Sequence, residues 1–281
     1  MVKRDKKTVS REVALEISAI CGKHFLNLDH LHYGYWKGIE PKLFNLAQAQ
    51  IQYAEFLESN IPDGVKTVLD VGCGMGQMAK FLTEKGYQVD CVSPSNFLAQ
   101  KARQLLGEGT EVFECFFEEL QTNKKYDLVM FSESFQYMKP EDSLPKAVGL
   151  LNGGGHILIS DVFKKDVQGK NPLPGGYQLD RVYGVVAENP LELKKEIDIT
   201  DETAVNIDIE HQFFMEVAKP VMGLIEKLML SRSPVLTKLI KWKFRKKAAK
   251  IDKKYFSGER TGDNFKKFKT YRLMVYKKTA E

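Results

Sequence analysis

Asp70, Gly72, Gly74 and Gly76 lie within the short run VLDVGCGMGQ, residues 68–77. Glycine lets a ligand reach the backbone with no Cβ in the way, and the amides that open a following helix point at such a ligand. A carboxylate two residues ahead of the first glycine can orient the turn or meet an ammonium group. The spacing is GxGxG, followed by Gln77, and not the GxGxxG of dinucleotide binders. The GxxxxGK of phosphate-binding loops is absent, and no basic residue is placed for a pyrophosphate. A nucleoside-type ligand is the leading reading.

Such a turn needs a buried strand to deliver it and a helix to follow. The alternation predicts strand 66–71, helix 76–85, strand 87–92, helix 95–106, strands 110–115 and 126–131, helix 141–151 and strand 155–162. Strands that alternate with helices imply parallel pairing with helices on both faces of an α/β sheet. Gly153–Gly155 reads as a tight turn into the strand that follows. Upstream, Ser10 is a candidate cap for a helix over 11–22, and Pro41 opens a second helix running to about 59. Downstream come a long loop over 163–180, a short helix near 178–188 and a strand at LELKKEIDIT. A mostly helical insertion of about 202–258 precedes a last strand at FKTYRLMVYKK. Residues 1–62 then form an N-terminal helical cap with an aromatic flap, and 63–281 form the core.

The 281 residues are 43% hydrophobic and 28% charged, an ordinary globular balance that suits one large core. No apolar run reaches membrane-spanning length, and the first residues lack an apolar signal core. Cys21, Cys73, Cys91 and Cys115 show no CxxC spacing. Reduced thiols and a cytoplasmic protein are expected, with no metal. The net charge of +5 is uneven, with lysines and arginines crowded in the first eleven positions and from Lys238 to Lys254. That is too modest a balance to argue for nucleic acid.

LDVGCGMGQ resembles motif I of the class I S-adenosylmethionine-dependent methyltransferases. The resemblance continues in register through CVSPSNFLAQKAR, YDLVMFSESFQYM and LLNGGGHILISDVF, covering about 66–163. HLHYGYW, ELKKEIDIT and YRLMVYKK are similar to the branch that methylates small molecules, among them tocopherol and sarcosine/dimethylglycine methyltransferases and natural-product enzymes. The resemblance implies a Rossmann-like sheet of seven mostly parallel strands with the last one antiparallel. It also implies S-adenosyl-L-methionine as cofactor and S-adenosyl-L-homocysteine as product.

The resemblance places Asp70, Gly72, Gly74 and Gly76 along the methionine part of the cofactor, and Cys73 and Gln77 beside them are candidate cofactor contacts. Where the family often has an acid for the ribose hydroxyls, this chain has Ser93, followed by Pro94 and Ser95. Where the family often reads adenine with an Asp, it has Phe116, then Phe117 and Glu118. The two phenylalanines are read either as an adenine sandwich or as core. Ser132 and Glu133 fall at the reactive end. Glu133 is read either as a contact or base for the acceptor, or as a structural carboxylate holding the glycine turn. His32 is a candidate base, Tyr33 a cofactor or catalytic contact, and Trp36 an aromatic that packs or meets substrate. Tyr35, Trp36, Phe135, Gln136, Tyr137, Tyr177 and the late helices are expected to line the acceptor pocket.

The expected reaction is in-line methyl transfer to a small, partly apolar nitrogen, oxygen or carbon nucleophile. The alternatives are a cofactor-binding regulator or scaffold without catalysis, and an RNA methyltransferase using the basic helices. The expected partner is a small-molecule acceptor, lipophilic or not, and no nucleic acid. The basic helices are candidates either for peripheral membrane contact or for packing on the core with lysines in water. The assembly expected is a monomer or homodimer.

Overall fold

The computed structural model describes residues 6–279, with side chains described from Val13 onward except that of residue 14. The basic residues of the N-terminus lie largely outside the described side chains. Seven strands form one sheet in the order β3-β2-β1-β4-β5-β7-β6. The strands are β1 Thr67–Val71, β2 Gln88–Val92, β3 Val112–Phe113, β4 Tyr126–Ser132, β5 Leu151–Lys164, β6 Leu191–Asp198 and β7 Lys269–Lys278. The first five pair in parallel, and β7 runs antiparallel to both β5 and β6. The expected seven-stranded α/β architecture is therefore present.

The central strands are apolar on both faces because helices cover both. Val68 and Leu128 join one core cluster, and Leu69, Val71, Val129 and Phe131 join the other. Helix α1 spans Lys6–Leu26, α2 Leu46–Glu58, α3 Gln77–Glu84, α4 Asn96–Leu106, α5 Pro140–Leu150 and α6 Leu179–Ala187. Helix α3 shows how pattern becomes packing: Met78, Ala79 and Leu82 are buried, while Lys80 and Glu84 face solvent as an ion pair. Asp127 stitches the amino ends of the sheet together. One of its oxygens accepts from Lys66 N, Thr67 N and Thr67 Oγ1, each at 3.0 Å, and the other from Asn152 at 2.8 Å.

Several boundaries differ from expectation. Ser10 lies inside α1 and does not cap it. Pro41 lies ahead of a short 3-10 turn, Leu43–Asn45, and α2 begins only at Leu46. Strand β3 shrinks to two residues because only Val112 and Phe113 find partners, on Cys91 and Val92. Gly153–Gly155 form no separate turn and lie inside β5. The ladder already holds Leu151 opposite Tyr126, then resumes with His156 opposite Leu128, so residues 152–155 bulge out. The late insertion is α7 Thr200–Phe213, a π-turn Phe214–Ala218, α8 Lys219–Arg232, α9 Pro234–Ile251, a second π-turn Asp252–Phe256 and α10 Gly262–Phe268.

The glycine turn between β1 and α3 is held by its neighbour strand. Gly72 has φ +82°, and a Cβ there would stand 2.4 Å from the Cβ of Ser134. Ser134 Oγ in turn donates to the Val71 carbonyl. Substituting Gly72→Ala should therefore cost about 2 kcal/mol or more in a urea titration, from left-handed strain plus a clash. In a Ser134→Gly background the same change should cost clearly less. Equal costs in the two backgrounds would show that this contact does not constrain Gly72.

Candidate active site

A cavity of about 370 Å³ opens at the carboxyl ends of β1, β2 and β4, where open α/β sheets bind ligands. The glycine turn contributes Asp70, Gly72, Cys73, Gly74 and Gln77 to its wall. The end of β2 contributes Ser93, Pro94 and Ser95, and the segment after β3 contributes Phe116, Phe117 and Glu118. The end of β4 and the turn beyond it contribute Ser132, Glu133 and Tyr137, and His32 closes the wall from the N-terminal side. Residues scattered over a hundred positions of sequence thus meet at one crevice.

Asp70 is the electrostatic focus. It is fully buried, its Oδ2 has no hydrogen-bond partner, and burial pushes its carboxyl up to about 7. A buried carboxylate oxygen with nothing to bond, on the wall of a cavity, suits a cationic group brought by a ligand. Ser95 has a structural duty as well, since its Oγ accepts from Leu98 N and caps α4. Phe117 is buried and packs edge-on against Phe131, while Phe116 is 56% exposed at the rim. Gly76 does not line the cavity. A Cβ there would stand 3.1 Å from Ala102, so its role is the close approach of α3 to α4.

Glu133 ends β4 in the left-handed region at φ 53°, one of two non-glycine residues there among those described. Its Oε1 accepts from Tyr33 N at 2.9 Å and from the Tyr271 hydroxyl at 2.8 Å. Burial pushes its carboxyl up to about 8, against the pull of the Tyr33 amide and with a push from Asp161. Of the two expected readings, the structural one needs correcting: Ser134 holds the glycine turn, and Glu133 holds the segment around Tyr33. Behind it the Tyr53 hydroxyl stands 2.7 Å from that of Tyr271 and 2.8 Å from Ser160 Oγ.

His32 is corrected as a candidate base. Its Nδ1 stands 2.8 Å from the Tyr33 carbonyl, which can only accept, so Nδ1 carries the proton. Its Nε2 then accepts from His30 Nδ1 at 2.9 Å. Both ring nitrogens are engaged, and burial drives its conjugate acid down to about 3. By the same reasoning His30 keeps its lone pair on Nε2, and His30 lines the cavity.

The expected aromatic flap is a fixed strap. Asn206 of α7 accepts from Gly34 N at 2.8 Å and from Trp36 Nε1 at 3.0 Å, and donates to the Gly34 carbonyl at 2.8 Å. Tyr35 N donates to the Ala49 carbonyl of α2 at 2.9 Å. Tyr33, Tyr35 and Trp36 do not line the cavity; Tyr35 stacks on Phe56, and Trp36 is buried against Asn206. Of the expected acceptor-pocket residues only Tyr137 reaches it. Phe135 is core, Gln136 is tied to the buried carboxylate of Asp161, and Tyr177 lies under Arg181. No residue of the late helices lines it either. Sequence reasoning missed Leu15, Leu31, Met75 and Met138, which add apolar surface to the wall. It also passed over His30, whose spacing of two from His32 was the available signal.

Residues 40–192 match the family described as a methyltransferase domain. An uncharacterized methyltransferase of Alkaliphilus oremlandii is 28% identical over 137 residues, which is 47% of this chain and 63% of that protein. Among solved structures, the 4+2 cyclase SpnF superposes with a TM-score of 0.67 at 16% identity, covering 100% of this chain and 98% of that one. A geranyl diphosphate C-methyltransferase from Streptomyces coelicolor, solved with Mg2+, geranyl diphosphate and S-adenosyl-L-homocysteine, superposes with a TM-score of 0.65 at 15% identity, covering 99% and 100%.

Three carboxyls, Asp70, Asp161 and Glu133, are raised by desolvation to about 7, 7 and 8. The folded chain therefore holds protons that the unfolded chain has released, and this stability is lost as pH rises through those values. His30 and His32, lowered by burial, act oppositely but only below 6.5, and Lys269, lowered to about 8, opposes only above that value. Between those limits the unliganded protein should lose stability with rising pH in urea titrations. Asp70→Asn should flatten the slope and gain at least about 1 kcal/mol at the upper end. An unchanged slope in that variant would remove Asp70 from the account.

Proposed function

Because the chain belongs to the methyltransferase-domain family, we propose that it transfers a methyl group from S-adenosyl-L-methionine to a small, partly apolar acceptor. The observation that carries this reading is the orphaned, buried Oδ2 of Asp70 beside a turn that leaves room at the backbone of Gly74. The residues present fit the cofactor. Asp70 would receive its ammonium group, Gly74 would admit its methionine chain, and Gly72 would line the same stretch of wall. Ser93, Pro94 and Ser95 would flank the ribose, and Phe116, Phe117 and Glu118 the adenine.

When bound, the cofactor supplies an electrophilic methyl on a sulfonium, so the protein's share is alignment, exclusion of water and proton removal. Leu15, Leu31, Met75 and Met138 give the wall the apolar surface that keeps water out. Two groups on the wall can take a proton from the acceptor. Glu133 is the better matched, since burial puts its carboxyl near 8, while burial makes the His30 imidazole a weaker base. Tyr33 and Tyr271 are positioning residues: their amide and hydroxyl fix which way the Glu133 carboxylate points. His32 does the same for His30.

Equilibrium titration with S-adenosyl-L-homocysteine should show binding, and Asp70→Ala should abolish it. Failure of the wild-type protein to bind would overturn the assignment. With a hydroxyl acceptor that turns over, kcat/KM should rise as pH climbs through about 8, where Glu133 ionises. Glu133→Gln keeps an oxygen for the Tyr33 amide. It should lower kcat by about 100-fold or more with product affinity little changed. Unaltered turnover in that variant would move the base elsewhere.

A further inference from the structure

We propose that the α8–α9 hairpin is a docking surface for an anionic lipid bilayer. This rests on observations independent of the methyl-transfer site. Residues 219–256 hold twelve of the chain's 42 lysines and arginines but only two of its 37 acidic residues, Glu226 and Asp252. The remainder of the chain is net acidic, so the positive excess of the whole molecule is concentrated here.

The same hairpin shows its apolar residues to solvent. Val221, Leu224, Ile225 and Leu228 repeat at helical spacing along α8, and each is roughly half exposed or more. Val235, Leu239 and Trp242 do so on α9, at 72%, 57% and 65% exposure, and with Lys238 they line a shallow depression. No described side chain of α8 is buried, and only Thr237 is in α9. The sequence-based alternative of packing on the core is thereby corrected: the helices lean on each other and on the π-turns at their base, where Phe214 meets Tyr255 at 4.7 Å and Phe256 at 6.0 Å. Lys241 joins the two helices by an ion pair to Glu226 at 2.6 Å.

Exposed aliphatic stripes bordered by lysines describe a helix that lies in a membrane interface, with apolar residues in the acyl boundary and ammonium groups among anionic headgroups. None of the described helices is long and apolar enough to cross a bilayer, so the mode is surface binding. A second copy of the hairpin is a poor occupant, because two strongly basic surfaces repel. Nucleic acid would satisfy the charge but gives aliphatic side chains nowhere to go.

Vesicles of phosphatidylcholine, with and without phosphatidylglycerol, provide the test with the full chain. Sedimentation should show about tenfold or more enrichment on the anionic vesicles, weakening as salt rises. Tryptophan emission should shift to the blue on binding. The reporter is Trp242, since Trp36 is already buried. Leu239→Glu, and separately Lys246→Glu with Lys250→Glu, should each cut partitioning about tenfold. Their unchanged S-adenosyl-L-homocysteine affinity would report an intact fold. Equal binding to both vesicle types, or variants that bind like wild type, would overturn the proposal. So would light scattering showing a dimer that Leu239→Glu dissolves, or RNA capture that these variants abolish while vesicle binding persists.

Discussion

The carboxylate of Glu133 joins three parts of the chain that no local pattern brings together. Through one oxygen it holds the Tyr33 amide from the N-terminal strap and the Tyr271 hydroxyl from the last strand. Its backbone leaves β4 in a left-handed conformation that side chains rarely adopt. The strap can close the cavity only because this node and Asn206 receive its polar backbone groups. The cavity in turn needs the strap, since His30, Leu31 and His32 make up its N-terminal wall.

That arrangement puts costly groups side by side. Asp70 and Asp161 are buried and Glu133 is partly so, and desolvation raises every one of them. Asp161 and Glu133 are compensated by hydrogen bonds from within the protein. Asp70 lacks a partner at one oxygen. The fold thus satisfies Glu133 and Asp161 internally and leaves one oxygen of Asp70 bare, the pattern expected where stability is given up at a binding site.

Much of this was legible in the sequence, for physical reasons. Strands β1, β2, β4 and β5 are buried on both faces, so they read as continuous apolar runs. Gly72 and Gly74 stood out because the turn after β1 takes positive φ at both. Strand β3 was overextended because apolar character alone does not reveal where a neighbour strand stops. The site residues near the glycine turn were readable because they follow strand ends in fixed order. Ser134, Asn206 and Tyr271 were not, since their partners lie 63, 172 and 138 residues away. Tyr35 and Trp36 misled because an aromatic-rich segment looks the same whether it faces a ligand or packs on helices. The π-turns were invisible because one extra residue hardly disturbs a helical period.

Those π-turns sit at the same level, one where the chain leaves α7 and one where it returns toward α10. Beneath them the body is already closed: Asp208 accepts from Gly262 N at 2.7 Å, and Glu210 pairs with Arg260. The chain therefore makes a detour of about forty residues that starts and finishes beside itself, outside an intact frame. Such an appendage can be lengthened, shortened or exchanged during divergence without disturbing the interior. It gives a lineage a way to vary one outer surface while the frame beneath is inherited unchanged.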